Sequence, residues 1–298
     1  MIIMYLGIFY SQASNLGPAS HFWSFRAMRL LKKCLSFRPL MTQFMSSVLE
    51  QQQQFERIYS ENLEKFAYHT TPDKLTRYLR DRRLHKGLDF LKSQFSETAL
   101  NSWRVLVVCG GVGGEGFFFL RNGFKDVSSS DFSSNSLEIA QKLDPTHSLK
   151  TILINAEDVG LPDGSFDLVV VQDGLHHLPR PSLGFTEMLR VASKAIIVIE
   201  PYNSAVGNMI GTEWEQHGDA INFVYRWDRF MVEQTVKSYL LKHFGKIKVI
   251  RLWDHTISIR RITNRLPFRL RLGVARLVYG ILRLFSFSGN MMIAIVVK

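Results

Sequence analysis

Residues 105–116 read VLVVCGGVGGEG. Four apolar residues run straight into Gly110, Gly111, Gly113 and Gly114. A strand that feeds a glycine turn and then a helix lets the backbone come close to a ligand, and the first N–H groups of that helix face an anionic group. Gly111, Gly113 and Gly116 also satisfy GxGxxG, which keeps a dinucleotide site open. Asp131 follows Gly111 by 20 positions, at the end of the next β-rich run. A carboxylate there can accept hydrogen bonds from ribose hydroxyls, whereas the neighbouring Ser133 and Ser134 also suit a helix cap.

Outward from this turn, β-rich runs recur at 126–130, 151–154, 166–171 and 195–199, separated by helix-length segments. That alternation predicts an α/β, doubly wound, Rossmann-like domain with helices on both faces of a parallel sheet. Right-handed crossovers put the C-terminal strand ends along one edge, where a ligand belongs. Beyond 201 the pattern predicts a helix at 228–243, a strand at 246–253, a long basic stretch and a closing strand at 291–297. Upstream, 42–66 suits a helix, and a second helix begins at Pro72 with Thr71 as its cap and Asp73 in its first turn.

Several phrases in order carry a family resemblance: the glycine loop, SSSDFSSNSLEIA, INAEDVGLPDGSFDLVVVQDGLHHL, EMLRV and the run ending IIVIEP. Over roughly residues 100–201 the chain resembles the class I S-adenosylmethionine-dependent methyltransferases, in particular the ubiquinone-biosynthesis-like group called methyltransferase type 11. The resemblance implies a seven-stranded sheet with an antiparallel last strand, and S-adenosylmethionine as cofactor. It places Gly111 and Gly113, with Cys109 and Gly110, beneath the methionine portion and ribose. Asp131 falls at the ribose with Phe132 beside it, and Asn155, Ala156 and Glu157 fall against the adenine.

Two positions depart from the family pattern. Val107 stands where the family has an acid, and Cys109 where it has a glycine. The missing acid leaves the cofactor's ammonium without its partner, and Asp173 is the replacement we expect. His176 and His177 follow it, and a neutral imidazole suits proton removal from an attacking nucleophile. Glu200, Tyr202, His217 and Tyr225 lie on the side where substrate enters, as pocket residues. The acceptor class implied is a small molecule, lipid or glycan. A nicotinamide-dependent oxidoreductase and a noncatalytic methyltransferase-like subunit are the competing readings.

Charge is divided along the chain. Residues 1–49 carry +5 and residues 255–298 carry +8, each without an acid, so 50–254 holds −2 of the net +11. A slightly acidic core argues against nucleic acid as the partner. Cys34 and Cys109 are too far apart in sequence to build a zinc or CxxC site, and no metal site is read. Two distant cysteines and no apolar run of about 18 residues fit a cytoplasmic protein, peripheral to a membrane if the basic ends dock there.

The domains follow as a basic and apolar extension at 1–40, a helical cap at 41–98, the core at 99–254, a basic amphipathic insertion at 255–290 and the closing strand at 291–298. In the insertion, Arg265, Arg269, Arg276 and Arg283 share one helical face, and Pro267 suits the helix start. Leu266, Leu270, Val274, Leu277, Val278, Ile281 and Leu282 fall largely on the other. Such a helix can lie on an anionic membrane surface, cover the pocket, pack its apolar side on the domain, or meet another anionic partner. Oligomeric state is not encoded in any of these features.

Overall fold

The computed structural model describes residues 52–53, 56–57, 63–217 and 220–298. The extension at 1–40 and most of the helix expected at 42–66 lie outside them. Helix α1, Lys74–Lys92, is capped by Asp73, whose carboxylate accepts the Thr76 N–H at 2.8 Å. The cap is thus two residues later than expected, and Thr71 Oγ1 instead accepts the Asp73 N–H.

After the short α2, Glu97–Asn101, the chain alternates β1 Arg104–Val107, α3 Gly114–Arg121, β2 Asp126–Asp131, α4 Ser134–Leu143 and β3 Leu149–Leu153. It continues with β4 Phe166–Gln172, α5 Pro181–Val191 and β5 Ala192–Pro201. Helix α6, Ala205–Ile210, leads to a hairpin of β6 Trp214–His217 and β7 Ala220–Phe223. Then come α7 Arg229–Leu240, β8 Lys246–Leu252, α8 Thr256–Thr263, α9 Phe268–Leu284 and β9 Met291–Val297.

The sheet has seven strands in the order β3-β2-β1-β4-β5-β9-β8. The first five strands pair in parallel, and β9 is antiparallel to both β5 and β8. The expected doubly wound sheet with its antiparallel last strand is therefore present. Strand β9 can sit between two neighbours because its residues 291–296 are all buried, which a continuous apolar run permits and an alternating one does not.

Alternation along β1 sorts the two faces. Val105 and Val107 join Leu84, Leu88, Phe118 and Phe119 from α1 and α3. Leu106 and Val108 join Phe185, Met188, Val232 and Val236 from α5 and α7. With helices committed to both faces, the strand ends and their loops are left to form the site.

The insertion folds as two helices, α8 and α9, where one was expected. On α9, Ala275, Val278, Tyr279 and Leu282 pack with Leu75, Tyr78 and Leu79 of α1. Leu270, Leu277 and Ile281 do not join them and face outward. The apolar face read from sequence is thus divided into a packed row and an exposed one.

Candidate active site

The glycine loop is held open by backbone geometry. Cys109, Gly111 and Gly113 have φ of 52°, 49° and 82°, so Cys109 adopts the left-handed backbone of the glycine it replaces in the family pattern. A Cβ on Gly110 would lie 2.2 Å from Ser129 Oγ. The opposing turn after β4 is equally tight. A Cβ on Gly174 would lie 2.5 Å from the Cys109 Cβ and 2.9 Å from Val171 Cγ2. Gly174→Ala is expected to destabilise the fold by about 1–3 kcal/mol through this overlap. Adding Cys109→Gly should recover most of that loss in a denaturant titration, because the closer of the two clashes is then gone.

Asp131 ends β2 beside this loop, with its carboxylate buried. Its Oδ2 accepts the Gly111 N–H at 2.9 Å and its Oδ1 the Ser133 N–H at 3.0 Å. Burial pushes the Asp131 carboxyl up, against the pull of those backbone donors. Each oxygen keeps a second lone pair for a ligand hydroxyl. The cap of α4 falls to Ser133, whose hydroxyl accepts the Ser136 N–H. Phe132 is half-buried, and its carbonyl accepts from the Gln52 side chain at 2.8 Å. Glu56 accepts the Ser134 and Asn135 N–H groups at 2.6 and 2.9 Å. Neither Gln52 nor Glu56 belongs to any motif, so sequence reading missed both.

In the loop after β3, Asn155 Oδ1 accepts the Glu157 N–H at 3.0 Å, and Ala156 is buried. Glu157 does not face a ligand as expected. Its carboxylate is engaged by the Arg180 guanidinium at 2.8 and 3.0 Å and by the Arg180 N–H, which ties this loop to the start of α5.

Asp173 also differs from expectation. It sits with φ 54° at the end of β4 in a bidentate pair with Arg83 of α1, so it is not a lone carboxylate waiting for an ammonium. Arg83 reaches Asp254 as well, at 3.0 Å, and Arg82 adds a second contact to Asp254 at 3.0 Å. Glu115, in the first turn of α3, accepts from Gln172 at 3.0 Å, and burial pushes its carboxyl up. His69 stands against Gly114 next to Arg80, and burial together with the Arg80 charge lowers its pKa to about 3.

The two histidines separate in role. His176 is buried, and its Nδ1 lies 2.7 Å from Glu200 Oε2. Glu200, expected in the pocket, is fully buried beneath the loop and accepts the Gly174, Leu175 and His176 N–H groups at 2.9, 2.7 and 3.3 Å. It orients the turn and the imidazole, and cannot touch substrate. Burial works to lower the His176 pKa, but the Glu200 charge and hydrogen bond outweigh it and hold the imidazole above its ordinary value.

His177 is half-buried, and its Nδ1 accepts from Asn222 of β7 at 3.2 Å. Glu215 of β6 lies 3.9 Å from His176 Nε2 and 3.8 Å from His177 Nδ1. His176, His177 and Glu215 thus bring ligand-type atoms within 4.8 Å of one another, a cluster spread over 39 positions that no sequence spacing announces. Tyr202 packs in the core under the Arg251 guanidinium, 4.1 Å from its ring centre, and Tyr225 packs against Trp227 at 5.1 Å. The two rings are held by those neighbours. His217 lies in β6, but its side chain falls outside the described residues.

Residues 107–199 match the family described as the methyltransferase domain. Within that span the chain carries a methyltransferase domain of the class I S-adenosylmethionine-dependent kind. The ubiquinone/menaquinone biosynthesis C-methyltransferase UbiE of Bartonella quintana is 26% identical over 176 residues, covering 52% of this chain and 68% of that one. A methyltransferase of Thermotoga maritima, described as a possible histamine N-methyltransferase, superposes with a TM-score of 0.51 at 16% identity. That match covers 83% of this chain and 99% of the other, and it supports the fold. A phosphoethanolamine N-methyltransferase of Haemonchus contortus matches at 14% identity and a TM-score of 0.47, over 66% of this chain. This chain spans 49% of that protein's length.

Proposed function

We propose that this methyltransferase moves a methyl group from S-adenosylmethionine to an oxygen, nitrogen or carbon nucleophile on a small molecule, lipid or glycan, with an apolar acceptor favoured. The observation that carries the reading is the meeting, at one sheet edge, of the open glycine loop and Asp131 with the Glu200-held His176. The residues fit the cofactor because the glycine loop presents bare backbone beside Asp131, which retains acceptor capacity for a ribose.

Bound S-adenosylmethionine supplies an electrophilic methyl group on a positively charged sulfur. Gly111 and Gly113 would admit it, Asp131 would accept from its ribose, and Asn155 and Ala156 would line the adenine. For an oxygen or nitrogen acceptor, His176 Nε2 takes the proton while Nδ1–H stays on Glu200, whose charge steadies the imidazolium. Holding nucleophile and methyl in line supplies the rest.

The sign of the pH dependence follows. Glu200 favours protonated His176, so the base becomes available only above a pKa raised over the ordinary imidazole value, and methyl transfer should climb with pH through that midpoint. The stability from this pair runs the other way: it is complete below the unfolded imidazole value and is lost as pH rises through the folded one. Glu200→Gln should move the His176 midpoint downward in an NMR titration of the imidazole, a readout that needs no acceptor.

Transfer of tritium from methyl-labelled S-adenosylmethionine into solvent-extracted acceptors tests the function. Label should appear with the parent and fall sharply with His176→Ala. No transfer, together with an absorbance change on adding a nicotinamide cofactor, would favour the oxidoreductase instead.

A further inference from the structure

Between β8 and β9, the insertion at 255–290 contains seven arginines and no acid. Its last helix has two apolar rows, and only one of them has a partner in the fold. Ala275, Val278, Tyr279 and Leu282 are committed to α1. Leu270, Leu277, Ile281 and Leu284 form the second row, within an arc of about 60° at 3.6 residues per turn. Each is at least half exposed.

Phe285 and Phe287 carry the row past the end of α9, and Ile257 and Ile262 extend apolar surface onto α8, all similarly exposed. Gly273 and Gly280 have open space around them, and they separate the leucine row from Arg269, Arg276 and Arg283. Single exposed leucines are ordinary on a protein surface. A contiguous row edged by charge of one sign marks a contact surface.

The chemistry of the face selects its partner. Nucleic acid would use the arginines and leave the leucines in water. A purely apolar partner would leave the arginines with nothing to neutralise them. An anionic bilayer satisfies both, because its surface stacks phosphates above acyl chains, and long arginine stems let the guanidinium reach upward while the stem stays in apolar surroundings. Among the described residues no helix is long and apolar enough to cross a membrane, so the contact is with the surface.

We propose that α8 and α9 form a docking face for an anionic bilayer, with the Leu270–Leu277–Ile281–Leu284 row among the acyl chains and the arginines at the phosphates. A cleft of about 520 Å³ runs along the same region, lined by Ile257 and Arg260 of α8 and by Tyr68 and Arg80 opposite. Arg80 stands next to Gly114 of the glycine loop. One wall of the cleft therefore lies on α8 of the docking face, and the other stands beside the glycine loop.

Flotation of the full chain with phosphatidylglycerol/phosphatidylcholine vesicles, against phosphatidylcholine alone, tests the docking without cofactor or acceptor. Its outcome is therefore separate from that of the methyl-transfer reading. The parent should float with the anionic vesicles only. Leu277→Glu with Ile281→Glu should lower the bound fraction at least tenfold while leaving the thermal midpoint unchanged, since both side chains already face solvent. Arg269→Gln, Arg276→Gln and Arg283→Gln together should weaken binding and flatten its salt dependence.

The proposal fails if the parent does not float, if it floats equally with neutral vesicles, or if the leucine-row variant floats as the parent does. It fails also if that variant only converts a dimer to a monomer in sedimentation, which would assign the row to a second copy of the chain.

Discussion

Replacing Arg83 with alanine is expected to lower folding stability by about 3 kcal/mol, read as a shift of the urea midpoint at constant slope. The guanidinium is almost wholly enclosed and joins two carboxylates that lie far apart in sequence, Asp173 after β4 and Asp254 after β8. Removing it leaves Asp254 inside the protein with Arg82 as its remaining cation and with Thr256 and Tyr279 as hydroxyl donors. Those partners keep the loss at the low end of the cost of orphaning a buried charge. Lysine should not restore the parent value, because a single ammonium cannot reproduce the fork that spans both carboxylates.

The same variant should be more sensitive to acid. Burial pushes the Asp254 carboxyl up, but Arg83 and Arg82 outweigh it and hold the group below its ordinary value. Its stabilising contribution is present above the unfolded carboxylate range and is lost as pH falls through the lower folded value. Without Arg83 the folded value rises, so acid unfolding should begin at a higher pH.

Asp131→Ala is expected to weaken S-adenosylhomocysteine binding by about tenfold to a hundredfold, in line with the loss of a charge-assisted hydrogen bond. The carboxylate has two tasks in one place, since it fixes the Gly111 and Ser133 N–H groups and offers its remaining lone pairs to the ribose. Asparagine should recover only part of the loss. Its amide nitrogen is a donor and would confront one of the two backbone donors that the carboxylate now satisfies. A thermal melt separates weakened binding from a damaged loop.

The strands and the glycine loop were legible because their signals are local. Val105–Val108 show the apolar run, and Asp131 stands a fixed distance beyond Gly111. What escaped depends on pairing across long stretches of chain. Glu200 ends an apolar strand, as a pocket residue would, yet three N–H groups and an imidazole from the neighbouring strand's loop claim it. Arg83 and Asp173 are 90 positions apart, and nothing beside either one names the other. Arg180 and Glu157 are hidden in the same way, and so are Glu215 and Asn222, which the β6–β7 hairpin carries to the histidines. Periodicity showed that α9 is amphipathic, but it could not tell which apolar row α1 covers.

The account stands most directly on a calorimetric titration of the full chain with S-adenosylhomocysteine. It predicts saturable binding by the parent and a loss of about tenfold or more in Asp131→Ala with the fold intact. A parent chain that releases no heat with this ligand, or an Asp131→Ala variant that binds it as tightly as the parent, would contradict the assignment of the glycine loop and Asp131 as the cofactor site.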